Sequence, residues 1–356
     1  MFTTKSIWIT AVALVLSALA EAGDLSGVRS ASIRYASAIP GVDMGAEINA
    51  LYESLPANGG EIVLQESASF ATPILFGTNG KPVLLVGLPG DIVTLTFTGP
   101  SGTAVTFDYG TGHRMGHGLR DLTLTGPGNS TGTIGVVFGG VNGAEGIDFR
   151  DFKVQSFGVN LQMGSNTWLA YFQQGMVRDG GTNVLLPSGL VQAGEQITFN
   201  HVTFADAPAP YANSVWVQGQ RQEVVFTDCS FDQAQLHIGD GASSAAQVVV
   251  RGSHFENPNY TEPGSVNYDY IVVDKSPGNY LRLTESYFLQ CAPSNGPKHF
   301  LSVWGGKVVL SGVGMYTPVG SPLAHFAMLW NNATVDTFGF EDLSGNMSGP
   351  ICGRNE

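Results

Sequence analysis

The sequence predicts an all-β solenoid, and three observations support this fold class. A short motif recurs along the chain, two brief alternating strands joined by a one-residue corner, as in QEVVFTDCSFD at 222–232. Three apolar columns repeat with the motif at a period of roughly 20 to 30 residues. Glycine, at 47 of 356 residues, supplies the tight bends that such a chain needs. One coil cannot bury its own apolar face, but a stack of coils can.

The columns are read by aligning the residue before each corner. That column contains Phe149, Phe172, Phe199, Phe226, Val250, Leu283 and Leu310. The column two positions earlier contains Ile147, Ala170, Ile197, Val224, Val248, Leu281 and Val308. The column after the corner contains Val154, Val177, Phe204, Phe231, Phe255, Phe288 and Met315. The corners themselves are Asp151, Gln174, His201, Asp228, Gly252, Glu285 and Gly312. Because glycine and aspartate suit bends with unusual backbone angles, a structural role is expected for His201 and Asp228.

The N-terminal segment predicts export. Residues 1–22 have the pattern of a signal peptide, with Lys5 before an apolar run and small residues at the cleavage position. The apolar run is shorter than a typical membrane-spanning helix. Residues 23–356 are then expected to form one domain, with an irregular tail after about 342.

A helix is expected at about 43–55. Asp43 is a suitable N-cap, and Pro56 with Gly59-Gly60 ends the helix. One face carries Ile48, Leu51, Tyr52 and Leu55. Since the end of a solenoid exposes apolar core and unpaired backbone, this amphipathic helix is expected to cap the first coil.

This helix, the ANGGEIVL link at 57–64 and KPVLLVGLPG at 81–90 resemble the N-terminal cap of the pectate lyase superfamily. The resemblance covers roughly residues 41–340 and implies a single-stranded right-handed parallel β-helix. Members of this superfamily include pectate lyases, polygalacturonases, other glycan lyases and hydrolases, epimerases and phage tailspikes. Gly116-His117-Gly118 matches one polygalacturonase block, but the other blocks and the pectate lyase motifs are absent. The resemblance therefore implies the fold more specifically than the activity.

A third strand follows a variable loop in each coil. The copies are 159–163, 183–187, 215–219, 236–240, 270–275, 301–305 and 327–331. Period-2 alternation predicts an outward face with Asn160, Gln162, Trp216, Gln218, His237, Val272, Asp274, Ser302, Trp304, Met328 and Trp330. Aromatic rings in a file offer stacking surface for the apolar faces of sugars. The alternative is that the variable loops fold over these rings and bury them.

Acidic residues begin the loops that precede this strand. Asp179 and Asp206 align in one column, and Asp232 and Glu256 align in the next. Stacking in register would place such carboxylates about 5 Å apart. Close carboxylates serve acid–base glycoside hydrolysis, although each one alone is more simply a solvated turn residue.

We expect the site on the middle coils. The catalytic candidates are His237, Asp240, Asp274, Asp232 and Arg221, and the substrate-binding candidates are Trp216, Gln218, Trp304, Trp330 and Asp206. His237 is the histidine on the outward face, and histidine titrates where a general acid or base works. An aspartate could orient it or act directly, and Arg221 could neutralise a carboxylate or hold a sugar hydroxyl. The alternatives are a surface histidine with incidental acidic neighbours, or a site among Asp179, Asp206 and Glu256.

Charge and motifs bear on partners and cofactors. The net charge of −13 disfavours nucleic acid and anionic membrane as partners. No motif requires a cofactor, although clustered carboxylates at Asp206, Asp232, Asp240 or Asp274 could bind calcium. Cys229 is expected to be buried, and Cys291 and Cys352 could pair. The predicted function is an exported polysaccharide lyase or glycoside hydrolase, and the alternative is a non-catalytic glycan-binding or tailspike-like module.

Overall fold

The computed structural model describes residues 32–37, 42–77, 80–88, 92–110, 116–207, 214–219, 222–241, 245–257, 269–290, 300–316, 326–330, 333–339, 341–342 and 351–355. The predicted signal peptide lies outside these residues. In this part of the chain, no helix combines the length and the apolarity that crossing a bilayer requires.

The described residues form thirty strands and one helix, α1. The strands and helix are β1 Ser32–Ala36, α1 Met44–Ser54, β2 Gly60–Leu64, β3 Ala68–Phe70, β4 Ile74–Phe76, β5 Val83–Gly87, β6 Val93–Phe97, β7 Ser101–Phe107, β8 Gly118–Thr125, β9 Gly132–Phe138, β10 Ala144–Gln155, β11 Val159–Met163, β12 Thr167–Arg178, β13 Thr182–Leu186, β14 Glu195–Ala205, β15 Val215–Val217, β16 Gln222–Thr227, β17 Ser230–Asp232, β18 Leu236–Ile238, β19 Ala246–Arg251, β20 His254–Asn257, β21 Ile271–Val273, β22 Tyr280–Thr284, β23 Tyr287–Gln290, β24 Leu301–Val303, β25 Lys307–Ser311, β26 Gly314–Tyr316, β27 Ala327–Trp330, β28 Thr334–Phe338, β29 Glu341–Asp342 and β30 Ile351–Asn355.

These strands form two parallel sheets that run the length of a right-handed β-helix, as predicted. The 19-stranded sheet, here sheet A, receives either one long bent strand or two short strands from a coil. The 11-stranded sheet, here sheet B, receives one strand from each coil, so that β15, β18 and β21 are neighbours. Because neighbouring strands of sheet B are a full coil apart in the chain, side chains from distant positions meet on one face.

The apolar columns line the interior and are confirmed by the strand register. Phe172 pairs with Phe199, which pairs with Phe226 on the next coil, and all three side chains are fully buried. The Phe172 and Phe199 rings stack with centroids 4.6 Å apart, and the Phe231 and Phe255 rings stack at 4.5 Å. Removing such a ring from a packed core typically costs about 3–5 kcal/mol, so these ladders stabilise the stack strongly.

The corner column is also confirmed. Every predicted corner residue has a left-handed backbone, with φ from 49° at Asp151 to 61° at Gly312. His201 and Asp228 occupy consecutive corners, and their Nε2 and Oδ2 atoms are 3.9 Å apart on the exposed surface. The fold holds these non-glycine residues in a conformation that costs roughly 1–2 kcal/mol per residue, which fits the structural role expected for both.

Helix α1 caps the first coil as predicted. The Asp43 side chain accepts a hydrogen bond from the Ala46 backbone N–H at 3.1 Å, and Ile48 and Tyr52 are buried against the coil. Partial burial opposes ionisation of Asp43, but hydrogen bonds from the amides of Ala71, Ala46 and Thr72 outweigh it and lower its pKa. The same carboxylate therefore caps the helix and ties it to the loop after β3.

Both ends of the β-helix contain strands that the sequence did not predict. Strand β1 precedes α1 and pairs in parallel with β2. The expected irregular tail is wrong at Ile351–Asn355, because β30 pairs with β27 and extends sheet B. Both segments lack the corner motif, so periodicity alone could not find them.

Two residues assigned to the outward face are buried instead. Asn160 is fully buried, where its Nδ2 donates to Asn183 Oδ1 on the next coil at 2.8 Å. Ser302 is 4% exposed, and its hydroxyl donates to the Asp269 carboxylate. Their apolar neighbours Leu161, Leu301 and Val303 are buried as alternation predicted, whereas the two polar side chains are buried because they hydrogen-bond to side chains of neighbouring coils.

Cys229 is buried as expected, and burial raises the pKa of its thiol to about 12. It therefore behaves as a small apolar residue. Cys291 lies outside the described residues, so its pairing with Cys352 stays a prediction.

Candidate functional site

Three adjacent strands of sheet B position the residues at the centre of the predicted site. Trp216 in β15 pairs with His237 in β18, and His237 pairs with Val272 in β21. The residues on either side of Trp216 and His237 are apolar and fully buried. Because side chains alternate along a strand, this inward packing turns Trp216 and His237 to the outer face.

His237 and Asp274 form a close pair on this face, here called the dyad. His237 Nε2 lies 2.9 Å from Asp274 Oδ2. Asp274 follows β21 directly, and its backbone N–H donates to Ile238 O at 2.8 Å, which fixes its position beside β18. The two side chains are 16% and 22% exposed, so the dyad is sheltered but open to solvent on one side.

Trp216 holds the imidazole from the preceding coil. Its ring stacks on His237 with centroids 5.4 Å apart and an interplanar angle of 22°. Its indole N–H donates to Gly239 O at 2.7 Å. Gly239 has a φ of +103°, and a Cβ there would lie 2.8 Å from Asp274 Cβ and 2.5 Å from Asn279 Nδ2. A glycine is therefore required beside the dyad, a requirement that the sequence analysis missed.

The other candidates on sheet B lie around the dyad at the strand ends. Gln218 follows β15, and its side-chain oxygen accepts from the Ser188 backbone N–H at 2.9 Å. Trp304 follows β24 and is half-buried, with its backbone N–H donating to Val273 O at 2.7 Å. Asp240 is half-buried two residues after β18. The face near the dyad thus carries partly exposed Trp216 and Trp304 rings.

For two further candidate site residues, the structure does not describe the side chain. Trp330 ends β27, but its side chain lies outside the described residues. Arg221 lies outside them altogether, so its role stays a prediction.

Asp232 lies in sheet A and Asp206 directly follows β14 of the same sheet, so both are in a different setting from the dyad. Asp206 forms an ion pair with Arg178, which also contacts Asp179 at 2.9 Å. Asp232 in β17 pairs in register with Glu256 in β20, as the column alignment predicted. Its side chain accepts a hydrogen bond from the Ser230 hydroxyl.

Burial raises the pKa of the Asp232 carboxyl, and the nearby charges of Glu256 and Asp206 add to the effect. The Ser230 hydrogen bond and His254 act in the opposite direction but do not outweigh burial. Ionisation of Asp232 is therefore less favourable in the folded protein than in the unfolded chain.

His254 is a functional candidate that the sequence analysis missed. It faces the same side of β20 as Glu256, and its Nε2 lies 3.4 Å from Glu256 Oε2. Asp232, His254 and Glu256, here called the edge cluster, can each offer a ligand atom within 4.8 Å of the others. The signal was present in the sequence, because His254-x-Glu256 aligns with Ser230-x-Asp232 at strand periodicity.

Two of the four aspartates suggested as calcium ligands already have other partners. Asp206 already pairs with Arg178, and Asp274 already pairs with His237. In the described part of the chain, the edge cluster is the group whose metal-ligand atoms converge.

Comparison with known proteins supports the architecture. No protein-family model matches the chain, and no curated protein sequence matches it. The enzymatically active domain of bacteriophage CBA120 tailspike protein 4 is similar over 88% of this chain, with 16% identity and a TM-score of 0.63. The chain has the parallel β-helix fold. It spans only 44% of the length of that tailspike chain, so the likeness concerns the fold and not the whole protein.

Two further solved structures are more distant. The catalytic domain of a GH87 alpha-1,3-glucanase in complex with tetrasaccharides matches 91% of this chain at 12% identity and a TM-score of 0.49. Pectate lyase Pel9A matches 92% of this chain at 12% identity and a TM-score of 0.45. The chain covers 69% and 80% of these two proteins.

Proposed function

We propose that this chain is an exported enzyme that binds a polysaccharide along the outer face of sheet B and cleaves it at the dyad. The observation that carries the proposal is the placement of His237 Nε2 at 2.9 Å from Asp274 Oδ2, under the Trp216 ring. An imidazole held by one carboxylate and one ring is oriented for proton transfer.

Each residue then has a definite role. His237 accepts or donates the proton at the cleaved linkage. Asp274 fixes the orientation of the imidazole and stabilises the imidazolium as it forms. Trp216 secures the second side of the ring, and Trp216 and Trp304 offer apolar surface to neighbouring sugar units. The predicted signal peptide supports export.

Two reaction types can be assembled from these residues, and they give Asp274 different roles. β-Elimination needs a base that removes the proton next to a uronate carboxyl, and the dyad supplies one. Hydrolysis needs two carboxyl groups separated by about 5 to 10 Å, for which Asp240 and Asp274 are the candidates. Elimination also requires a cation that neutralises the uronate carboxylate, for which Arg221 is the predicted group, and the imidazolium of His237 can return its proton to the leaving oxygen. Because this reaction uses the 2.9 Å contact in the dyad directly, elimination is the reaction that we favour.

A panel of neutral and uronate-containing polysaccharides tests the proposal. We expect cleavage of at least one polysaccharide, with an unsaturated product detected by ultraviolet absorbance for elimination or new reducing ends without it for hydrolysis. His237→Gln, purified in parallel, controls for a contaminating enzyme, because a contaminant would act in both samples. Binding without cleavage anywhere in the panel would overturn the proposal in favour of the glycan-binding module.

A further inference from the structure

The edge cluster lies on two neighbouring strands of sheet A. Ser230 pairs with His254, and Asp232 pairs with Glu256, in consecutive coils. Residues two apart on a strand face the same side, and neighbouring strands are about 4.8 Å apart. The fold therefore brings one imidazole and two carboxylates to a single patch of the outer surface.

The distances within this patch suit a shared cation. The ligand atoms of Asp232, His254 and Glu256 all lie within 4.8 Å of one another. His254 Nε2 is 3.4 Å from Glu256 Oε2, and their side chains are 37% and 26% exposed. A cation at the centre could thus be reached by all three groups, and solvent could complete its coordination.

The surroundings add both charge and orientation. The Ser230 hydroxyl donates to one oxygen of Asp232, which is the type of outer contact that orients a metal-ligating carboxylate. Asp206 adds negative charge close by, but Arg178 is paired with it and with Asp179. Tyr287 flanks the imidazole on the next coil, with ring centroids 6.2 Å apart.

We propose that Asp232, His254 and Glu256 bind one divalent transition-metal ion of the zinc type. The imidazole decides the class of ion, because calcium and magnesium take oxygen ligands while histidine is a common ligand of transition metals. Three protein ligands leave further positions for water. The site joins the coil of β17 to the coil of β20, and it does not depend on the proposed glycan cleavage.

Isothermal titration with Zn²⁺ tests this proposal on the full chain, freed of metal by chelator and carrying no histidine tag. We expect one Zn²⁺ per chain, with affinity about 100-fold weaker in His254→Gln. His201→Gln is the matched control, because His201 Nε2 lies 3.9 Å from the Asp228 carboxylate on the same sheet. Its substitution should leave zinc affinity unchanged.

Two further measurements keep the test decisive. Glu256→Gln should weaken zinc binding as well, so the result does not rest on one variant. Co²⁺ added to the metal-free protein should give visible absorption bands that are lost in His254→Gln. Zinc binding that is absent, or that is equal in the unsubstituted protein and His254→Gln, would overturn the proposal. Calcium binding in place of zinc would also overturn it.

Discussion

The dyad and the edge cluster place the same residue types at similar spacing, yet their geometry differs. In the dyad, one carboxylate lies 2.9 Å from an imidazole that a tryptophan ring also covers. In the edge cluster, two carboxylates lie near one imidazole, His254 Nε2 is 3.4 Å from Glu256 Oε2, and these two side chains are more exposed than those of the dyad. A paired and covered imidazole is suited to proton transfer, whereas an excess of carboxylates leaves negative charge that a cation can neutralise.

The largest expected difference between the regions is in catalysis. Asp274→Asn keeps the shape of the dyad but removes the charge that stabilises an imidazolium. We expect kcat on an identified polysaccharide to fall by about 10²- to 10⁴-fold. Asp232→Asn, the same substitution in the edge cluster, is the comparison. An equal loss of kcat in both variants would contradict the assignment of catalysis to the dyad.

The second largest effect is expected on KM, when the aromatic neighbours of His237 and His254 are replaced. Trp216→Leu removes the stacking surface and the hydrogen bond to Gly239. We expect KM to rise about fivefold, since an aromatic contact is worth about 1 kcal/mol. Tyr287→Leu, beside His254, should leave KM unchanged. A KM that responds to Tyr287→Leu and not to Trp216→Leu would place the glycan on sheet A.

A smaller effect, with a defined pH dependence, is expected for Asp232→Asn in metal-free protein. The pKa of Asp232 is raised in the folded state, so between its unfolded and folded values the folded protein binds more protons and stability falls as pH rises. Asp232→Asn removes this cost, and its Tm should exceed that of the unsubstituted protein at neutral pH. The difference should vanish below pH 3.8, the ordinary value for the carboxyl. Thermal melts in chelator across pH check this, and a lower Tm at neutral pH would contradict it.

The smallest effect is a change in stability, and it is expected for the corner residue His201. His201→Gln should change stability by no more than about 0.5 kcal/mol, as for other surface positions. Gln174 already occupies the same column on the preceding coil with a φ of 51°, so glutamine is compatible with this backbone. Thermal unfolding measures the change. A large loss would mean that the imidazole itself stabilises the corner.

The repeated parts of the fold could be predicted from the sequence, and the parts without a repeat could not. The apolar columns and corners were predictable, because stacked coils force the same residue classes to recur at one position. The dyad was anticipated as a group, since His237 and Asp274 follow the same alternation on consecutive strands. The segments β1 and β30 were missed because they lack the repeating motif.

The burial of polar side chains was the second feature that the sequence did not predict. Asn160 and Ser302 have polar side chains at alternating positions, yet they are buried by hydrogen bonds to neighbouring coils. The hydrogen-bonding partners depend on the path of the loops, which alternation does not describe. His254 was missed for a related reason, because its importance comes from Asp232 on another coil.

The most direct test of the account is the kcat of His237→Gln measured beside that of His201→Gln on the same polysaccharide. Glutamine can keep a hydrogen bond to Asp274 but cannot titrate, so a purely structural histidine would tolerate it. We predict that His237→Gln loses at least about 10²-fold in kcat, with a melting curve close to that of the unsubstituted protein, while His201→Gln keeps full activity. Full activity in a folded His237→Gln would contradict the central claim that the dyad transfers the proton.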